Sequence, residues 1–75
     1  MERFFTALDE LLESGKLAGG ISGYCAKYGI DKRHLYQQKA DLGRGFFEVY
    51  WLNTLIKDYR VSPNWMLLGT GKMFS

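Results

Sequence analysis

Apolar side chains recur at steps of three and four residues along most of this chain of 75 residues, and that spacing is what most limits its fold. It gathers apolar side chains on one face of an α-helix, whereas a half-buried strand alternates apolar and polar residues. The sequence lacks that alternation, and it lacks the Asn-Gly and Asp-Gly turns of β-hairpins. Because a chain of this length has room for one core, we expect a single all-α domain spanning residues 1–75, a compact bundle of five short helices.

Capping residues and glycines divide the chain into these five helices. Asp31 is a suitable N-cap for the third helix and Ser62 for the fifth, while Gly29 can end the second. Gly23 weakens the second helix, and Leu42, in the loop of residues 40–45, is expected to turn back to the core. The predicted helices cover residues 3–14, 21–28, 32–39, 46–59 and 63–68.

Charge is distributed unevenly, although the formal net charge is only +2. Residues 1–15 carry one Arg against four acids and total −3, whereas residues 16–45 carry six Lys or Arg against two Asp and total +4. A positive middle segment is typical of a face that meets phosphates, although an unevenly charged solvated surface would give the same pattern.

Cysteine and histidine content limits the chemistry that the chain can support. Cys25 is the single cysteine and His34 the single histidine, too few for a disulfide or a zinc site. We therefore expect no metal, no cofactor and a cytoplasmic location. No apolar run has the length of a signal peptide or membrane helix, so membrane contact is not expected. His34 has no Ser or Cys partner with an orienting acid, which argues against an enzyme, and no small-molecule ligand is evident.

Residues 24–38 have the pattern of two helices that meet across a tight turn. Such a turn needs a glycine where the first helix ends, a small residue one turn earlier and apolar anchors on either side. Gly29 and Cys25 are suited to the first two positions, and Ile30 and Leu35 are suited to the anchors.

The end of the chain carries a second motif, YRVSPNWMLLGTGKMF over residues 59–74. With the tight turn, it resembles the lambda-repressor-like (Cro/XRE-type) helix-turn-helix family of phage and bacterial repressors, over roughly residues 21–74. The resemblance implies a helix-turn-helix at about residues 21–39, sequence-specific binding of double-stranded DNA, and transcription regulation at the nucleoid. Gln38 stands where that family usually has an apolar residue.

The third helix, residues 32–39, would enter the major groove, with side chains opposite Leu35 facing base edges. Arg33 could bond guanine and Gln37 adenine in bidentate fashion, each contact giving about 1–3 kcal/mol of discrimination. The candidate base contacts are Lys32, Arg33, Tyr36 and Gln37. The candidate phosphate contacts are Lys27, His34, Lys39 and Arg44. Each of these could instead be an ordinary solvated side chain.

A homodimer is expected, because two-fold pairing doubles the contacted site into a palindrome with half-sites about 34 Å apart. Residues 62–75 are the possible dimerisation region, with Phe46 or Tyr50 as further candidates. The dimerisation candidates in that region are Trp65, Met66, Met73 and Phe74. An alternative function is a protein-interaction module on the same fold, such as an antitoxin, anti-repressor or adaptor, which the modest charge and the wide apolar surface of the fourth helix favour.

Overall fold

The computed structural model describes residues 2–45 and 47–74. Its helices are α1 (Glu2–Glu13), α2 (Gly20–Tyr28), α3 (Lys32–Ala40), α4 (Val49–Tyr59) and α5 (Pro63–Leu68). Extended backbone pairs at an isolated antiparallel bridge between Val61 and Phe74, next to which the Ser62 amide donates to the Met73 carbonyl at 2.8 Å. The prediction of an all-α chain of five helices is confirmed. Within the described ranges, no helix combines the length and the apolar character needed to cross a membrane.

The predicted capping residues occupy the helix ends. The Asp31 carboxylate accepts from the backbone amides of Arg33 and His34, and the Ser62 hydroxyl accepts from the Trp65 amide. Such bonds satisfy amides that have no partner inside the helix, which is why these residue types favour helix starts. Gly29 ends α2 with a φ of 67°, a left-handed conformation that glycine adopts without steric cost.

The core forms between α1 and α4, which pack against each other, and α2 and α3, which pack against each other and add buried side chains to the same cluster. Aromatic rings fill its centre, with the Phe4 and Phe47 ring centroids 5.5 Å apart and those of Phe47 and Trp51 5.3 Å apart. Both pairs meet edge to face, an arrangement that adds to the gain from burial. The buried apolar residues are Phe4, Phe5, Ala7, Leu8, Leu11, Leu17, Tyr24, Cys25, Ile30, Leu35, Trp51, Leu55, Val61 and Met66.

The sequence prediction was wrong about the start of α4 and about Leu42. The helix begins at Val49, because Glu48 is extended and Phe47 is held by a hydrogen bond from its amide to the Gln38 side chain. Leu42 is 41% exposed, and the loop is held to α3 through the Leu42 carbonyl, which accepts a hydrogen bond from the Gln38 side chain. Phe46, the predicted first residue of the helix and a dimerisation candidate, lies outside the described residues.

Gly23, in the middle of α2, has a packing role, although glycine has a low helix propensity. A Cβ at this position would collide with the Ala18 carbonyl oxygen. The absent side chain therefore allows the segment between α1 and α2 to lie close against α2. That close approach accompanies the burial of Leu17.

Arg3 connects the first helix to the last. Its Nε donates to the Met66 carbonyl at 2.9 Å and its Nη2 to the Leu67 carbonyl at 3.0 Å. These carbonyls lie in the last turn of α5, where backbone acceptors lack partners within the helix and a positive charge is favourable. The contact fixes α5 against α1, although the two helices lie at opposite ends of the sequence.

Candidate functional site

The turn between α2 and α3 has the features that the sequence predicted. The backbone amides of Gly29 and Ile30 both donate to the Cys25 carbonyl, the Ile30 bond measuring 2.9 Å. Ile30 and Leu35 are buried on the two sides of the turn. Cys25 is also buried, and this burial raises the pKa of its thiol. The thiol is therefore a packing group here, since the thiolate is the reactive form of cysteine.

The orientation of α3 separates its buried side chains from its exposed ones. Leu35 and Gln38 are its buried residues and face the core. Arg33 and Gln37 lie two positions before and after Leu35, which on an α-helix places both on the opposite side, one turn apart. Both are exposed, and so is Tyr36 beside them. The structure thus brings three of the four predicted base contacts onto the outer surface of one helix.

The start of α3 is fixed by Asp31. Accepting the backbone amide of His34, and also that of Arg33, lowers the pKa of the Asp31 carboxyl. The carboxylate form is the better acceptor for these amides, so the cap is at full strength at neutral pH. It fixes the end of the helix that carries Arg33.

Lys32, the fourth predicted base contact, is directed toward α2. Its Nζ donates to the Ser22 hydroxyl at 2.7 Å and lies 6.0 Å from the centroid of the Tyr36 ring. The exposed Ser22 therefore belongs to this surface, although the sequence reasoning did not select it. The signal available was its place in the first turn of α2, next to the start of α3 in a two-helix unit.

The four predicted phosphate contacts are exposed, and each has a partner within the chain. The Lys39 ammonium lies 2.7 Å from the Asp9 carboxylate of α1, and the Arg44 guanidinium lies 3.6 Å from the Asp41 carboxylate. Exposed pairs of this kind contribute little to stability, so a polyanion can compete with the carboxylates.

Lys27 and His34 also have partners within the chain. The Lys27 ammonium lies over two aromatic rings, 5.2 Å from the Tyr28 centroid and 5.9 Å from that of Tyr59. His34 Nδ1 lies 3.9 Å from the Asp31 carboxylate. Both remain at the surface, near the ends of α2 and α3, where charged side chains can reach a backbone that follows these helices.

The dimerisation candidates divide into one core residue and three half-buried residues. Met66 is 3% exposed and lies in the core of the single chain, so the prediction that it meets a second copy is corrected. Trp65, Met73 and Phe74 are half-buried against the core. The sequence reasoning did not name the two leucines after Met66 as contacts, although they lie within the predicted dimerisation region of residues 62–75. Leu67 is 59% and Leu68 70% exposed, so they form the apolar surface of α5.

A cavity of about 70 Å³ lies between α1, α2 and α3, with Leu8, Ile21 and Leu35 among its lining residues. This volume is well below that of typical small-molecule pockets, which measure about 300–1,000 Å³. In the part of the chain that the structure describes, there is no group of three or more His, Cys, Asp or Glu side chains that could hold a metal ion.

Comparison of the chain with protein-family models, curated proteins and solved structures gives no match. The resemblance to lambda-repressor-like proteins stays a prediction from the two motifs. A functional proposal must therefore come from the arrangement of the chain's own side chains, above all those on the outer surface of α3.

Proposed function

We propose that this chain is a sequence-specific DNA-binding domain that reads the major groove of double-stranded DNA with α3 and acts in transcription regulation, as the lambda-repressor-like motifs suggest. One observation carries the proposal. Arg33 and Gln37 stand one turn apart on the exposed side of a short helix whose other side is fixed in the core. A helix mounted in this way fits the major groove with its first turns toward the base edges.

Arg33 and Gln37 supply complementary recognition chemistry. The Arg33 guanidinium can donate two hydrogen bonds to guanine O6 and N7, and the Gln37 amide can both donate to and accept from adenine N6 and N7. Each bidentate contact is worth about 1–3 kcal/mol of discrimination against another base. Tyr36, exposed beside them, is suited to apolar contact with a base or sugar.

The surrounding basic side chains would hold the helix in register on the phosphates. Lys32 and Ser22 form a polar pair between α2 and α3, while Lys27 of α2, Lys39 in the last turn of α3 and Arg44 in the following loop are exposed. Contacts to phosphate position a protein without reading sequence and make its affinity depend steeply on salt. His34, exposed near the start of α3, can donate a ring N–H to the same phosphates.

A homodimer is part of the proposal. One α3 contacts only a few base pairs, whereas two copies related by two-fold symmetry contact a palindrome with half-sites about 34 Å apart. The exposed side chains of Leu67 and Leu68 support a contact through α5, with Trp65, Met73 and Phe74 beside them. Sedimentation of the free protein and of its DNA complex tests this part separately, and a monomer in both states contradicts it.

The base-reading role is tested with Arg33→Ala and Gln37→Ala. Both variants should lose affinity for a duplex selected from random sequence by about 1–3 kcal/mol, while binding to bulk DNA changes much less. Lys57→Ala and Asn53→Ala are matched controls, because they remove an exposed cation and an exposed amide from α4. Equal losses on selected and bulk DNA would contradict the assignment.

The alternative of a protein-interaction module is favoured by one specific observation. Lys39 and Arg44 are paired with carboxylates of the same chain, while Val49, Leu67 and Leu68 expose apolar surface. Salt separates the two functions, since a domain that neutralises several phosphates loses affinity steeply as salt rises. An apolar protein interface keeps its affinity over the same range.

A further inference from the structure

Gln38 is a completely buried polar residue that the DNA-reading surface does not use. It faces inward from α3 and is 0% exposed. Its Nε2 donates to the Leu42 carbonyl at 3.1 Å, and its Oε1 accepts from the Phe47 amide at 3.1 Å. One side chain therefore holds the loop between α3 and α4 at two backbone positions, five residues apart.

Arg44 lies between these two positions. The first half of the loop is a turn around Asp41, whose carboxylate accepts from the Gly43 amide and whose carbonyl accepts from the Arg44 amide, both at 3.1 Å. The second half ends at Phe47, whose ring packs against Phe4 and Trp51 in the core. The described residues of this segment, 41–45 and 47–48, form no helix or strand, so these contacts set the position of their backbone.

The amide of Gln38 is suited to this task because it offers a donor and an acceptor on one planar group. An apolar side chain of similar size would fill the same space but would leave the Leu42 carbonyl and the Phe47 amide without these partners. An isolated buried donor or acceptor is costly, so the loop would then move until water could reach those groups.

We propose that Gln38 is a positioning residue for DNA binding, which clamps the α3–α4 loop so that Arg44 is already in place to contact the phosphate backbone beside α3. The proposal rests on the proposed DNA-binding function. A loop displaced by loss of the clamp would no longer bring Arg44 to the phosphate, so the clamp raises affinity through one backbone contact without touching a base.

The test replaces Gln38 with methionine, which is unbranched and close to glutamine in size but lacks both hydrogen-bonding groups. Compared with the wild type, Gln38→Met should bind a selected duplex about three- to tenfold more weakly at fixed salt. The slope of log affinity against log salt should fall by about 0.9, as for one lost phosphate contact. Discrimination against a duplex changed at the Gln37 base pair should stay the same.

Two further variants separate positioning from general stability. Leu35→Met changes packing on the same buried side of α3 and should leave the salt slope unchanged. Arg44→Ala should lower the slope as Gln38→Met does, and the double variant should show little further loss, because both changes remove the same contact. An unchanged slope in Gln38→Met, or additive losses in the double variant, would overturn the proposal.

If Gln38→Met does not fold, a measurement on the wild-type protein tests whether the α3–α4 loop is ordered before DNA binds. Backbone relaxation of the free protein should give amides 42–45 and 47 order parameters near 0.85, as in the helices, and values below 0.6 would overturn the clamp. The two failures are distinguishable. Lack of duplex binding by the wild type contradicts the proposed function, and with it the phosphate role of the clamp. Binding with an unchanged slope in Gln38→Met contradicts the role of Gln38 alone.

Discussion

The ion pair between Asp9 and Lys39 offers a gain-of-function test. The two charged groups lie 2.7 Å apart, and both side chains are roughly half-exposed. Asp9 belongs to α1 and Lys39 to the last turn of α3, so the carboxylate competes with DNA phosphates for the lysine. Asp9→Ala should free Lys39 and strengthen binding to duplex DNA, although it deletes a contact of the folded protein.

The expected effects of Asp9→Ala on folding stability and on DNA affinity follow from the exposure of the ion pair. An exposed ion pair is worth about 0.2–1 kcal/mol, so the loss of folding stability should be small, and the higher helix propensity of alanine offsets part of it. If Lys39 then neutralises one more phosphate, the slope of log affinity against log salt becomes steeper by about 0.9. The affinity ratio of variant to wild type should therefore grow about 3.5-fold between 200 and 50 mM salt.

The assay is an equilibrium titration of a labelled duplex, followed by fluorescence anisotropy at several salt concentrations. Glu13→Ala is the matched control, because it removes an exposed carboxylate from the end of the same helix. Glu13→Ala changes the net charge by the same amount as Asp9→Ala, but it frees no lysine of α3. Its longer-range electrostatic effect on the DNA is screened by salt. Equal slopes for Asp9→Ala and Glu13→Ala would refute the reasoning.

The remaining predictions concern stability. Arg3→Met should lower the free energy of unfolding in urea by about 1 kcal/mol, because the carbonyls of Met66 and Leu67 lose their donor. Tyr24→Phe should cost about 1 kcal/mol at pH 7 by removing the hydrogen bond between Tyr24 and Thr54. Burial raises the pKa of Tyr24 from 10.0 to about 12, so its stabilising effect is complete below pH 10 and is lost as pH rises through 12. The stability gap between wild type and Tyr24→Phe should therefore narrow between pH 10 and 12.

Both stability predictions have simple controls. Lys57→Met removes an exposed cation from α4 and should leave the urea midpoint of unfolding nearly unchanged. If Arg3→Met changed this midpoint no more than Lys57→Met does, the capping role of Arg3 would be contradicted. For Tyr24, Tyr36→Phe changes an exposed ring on α3 and should follow the wild-type pH profile. A stability gap that stays constant up to pH 12 would contradict the assignment of alkaline destabilisation to Tyr24.

Much of the fold was predictable from local features of the sequence. Asp31 and Ser62 cap their helices through bonds to amides two or three residues ahead, and Gly29 ends α2 by its own backbone conformation. Such effects act within one turn of chain and can be inferred from residue type. The exposure of Arg33 and Gln37 follows from their spacing to Leu35 in the same way.

The features that could not be predicted from the sequence depend on contacts between residues that are distant along the chain. Propensity extends α4 back through Phe47, but the Phe47 amide bonds to Gln38 and its ring packs on Phe4, so the helix starts later. Gln38 was noted as an unusual polar residue, yet its role depends on a loop that folds back over it. The pairing of Lys39 with Asp9 likewise joins two helices thirty residues apart. Periodicity within one helix cannot reveal such a contact.

Selection of binding sites from random duplex DNA tests the central claim most directly. A chain that reads the major groove with α3 as a two-fold dimer should enrich a palindrome whose half-sites are centred about 34 Å apart, one helical turn of DNA. The same selection with Gln37→Ala should lose preference at one position in each half-site and keep the spacing. Recovery of no enriched sequence by the wild-type protein would contradict the account.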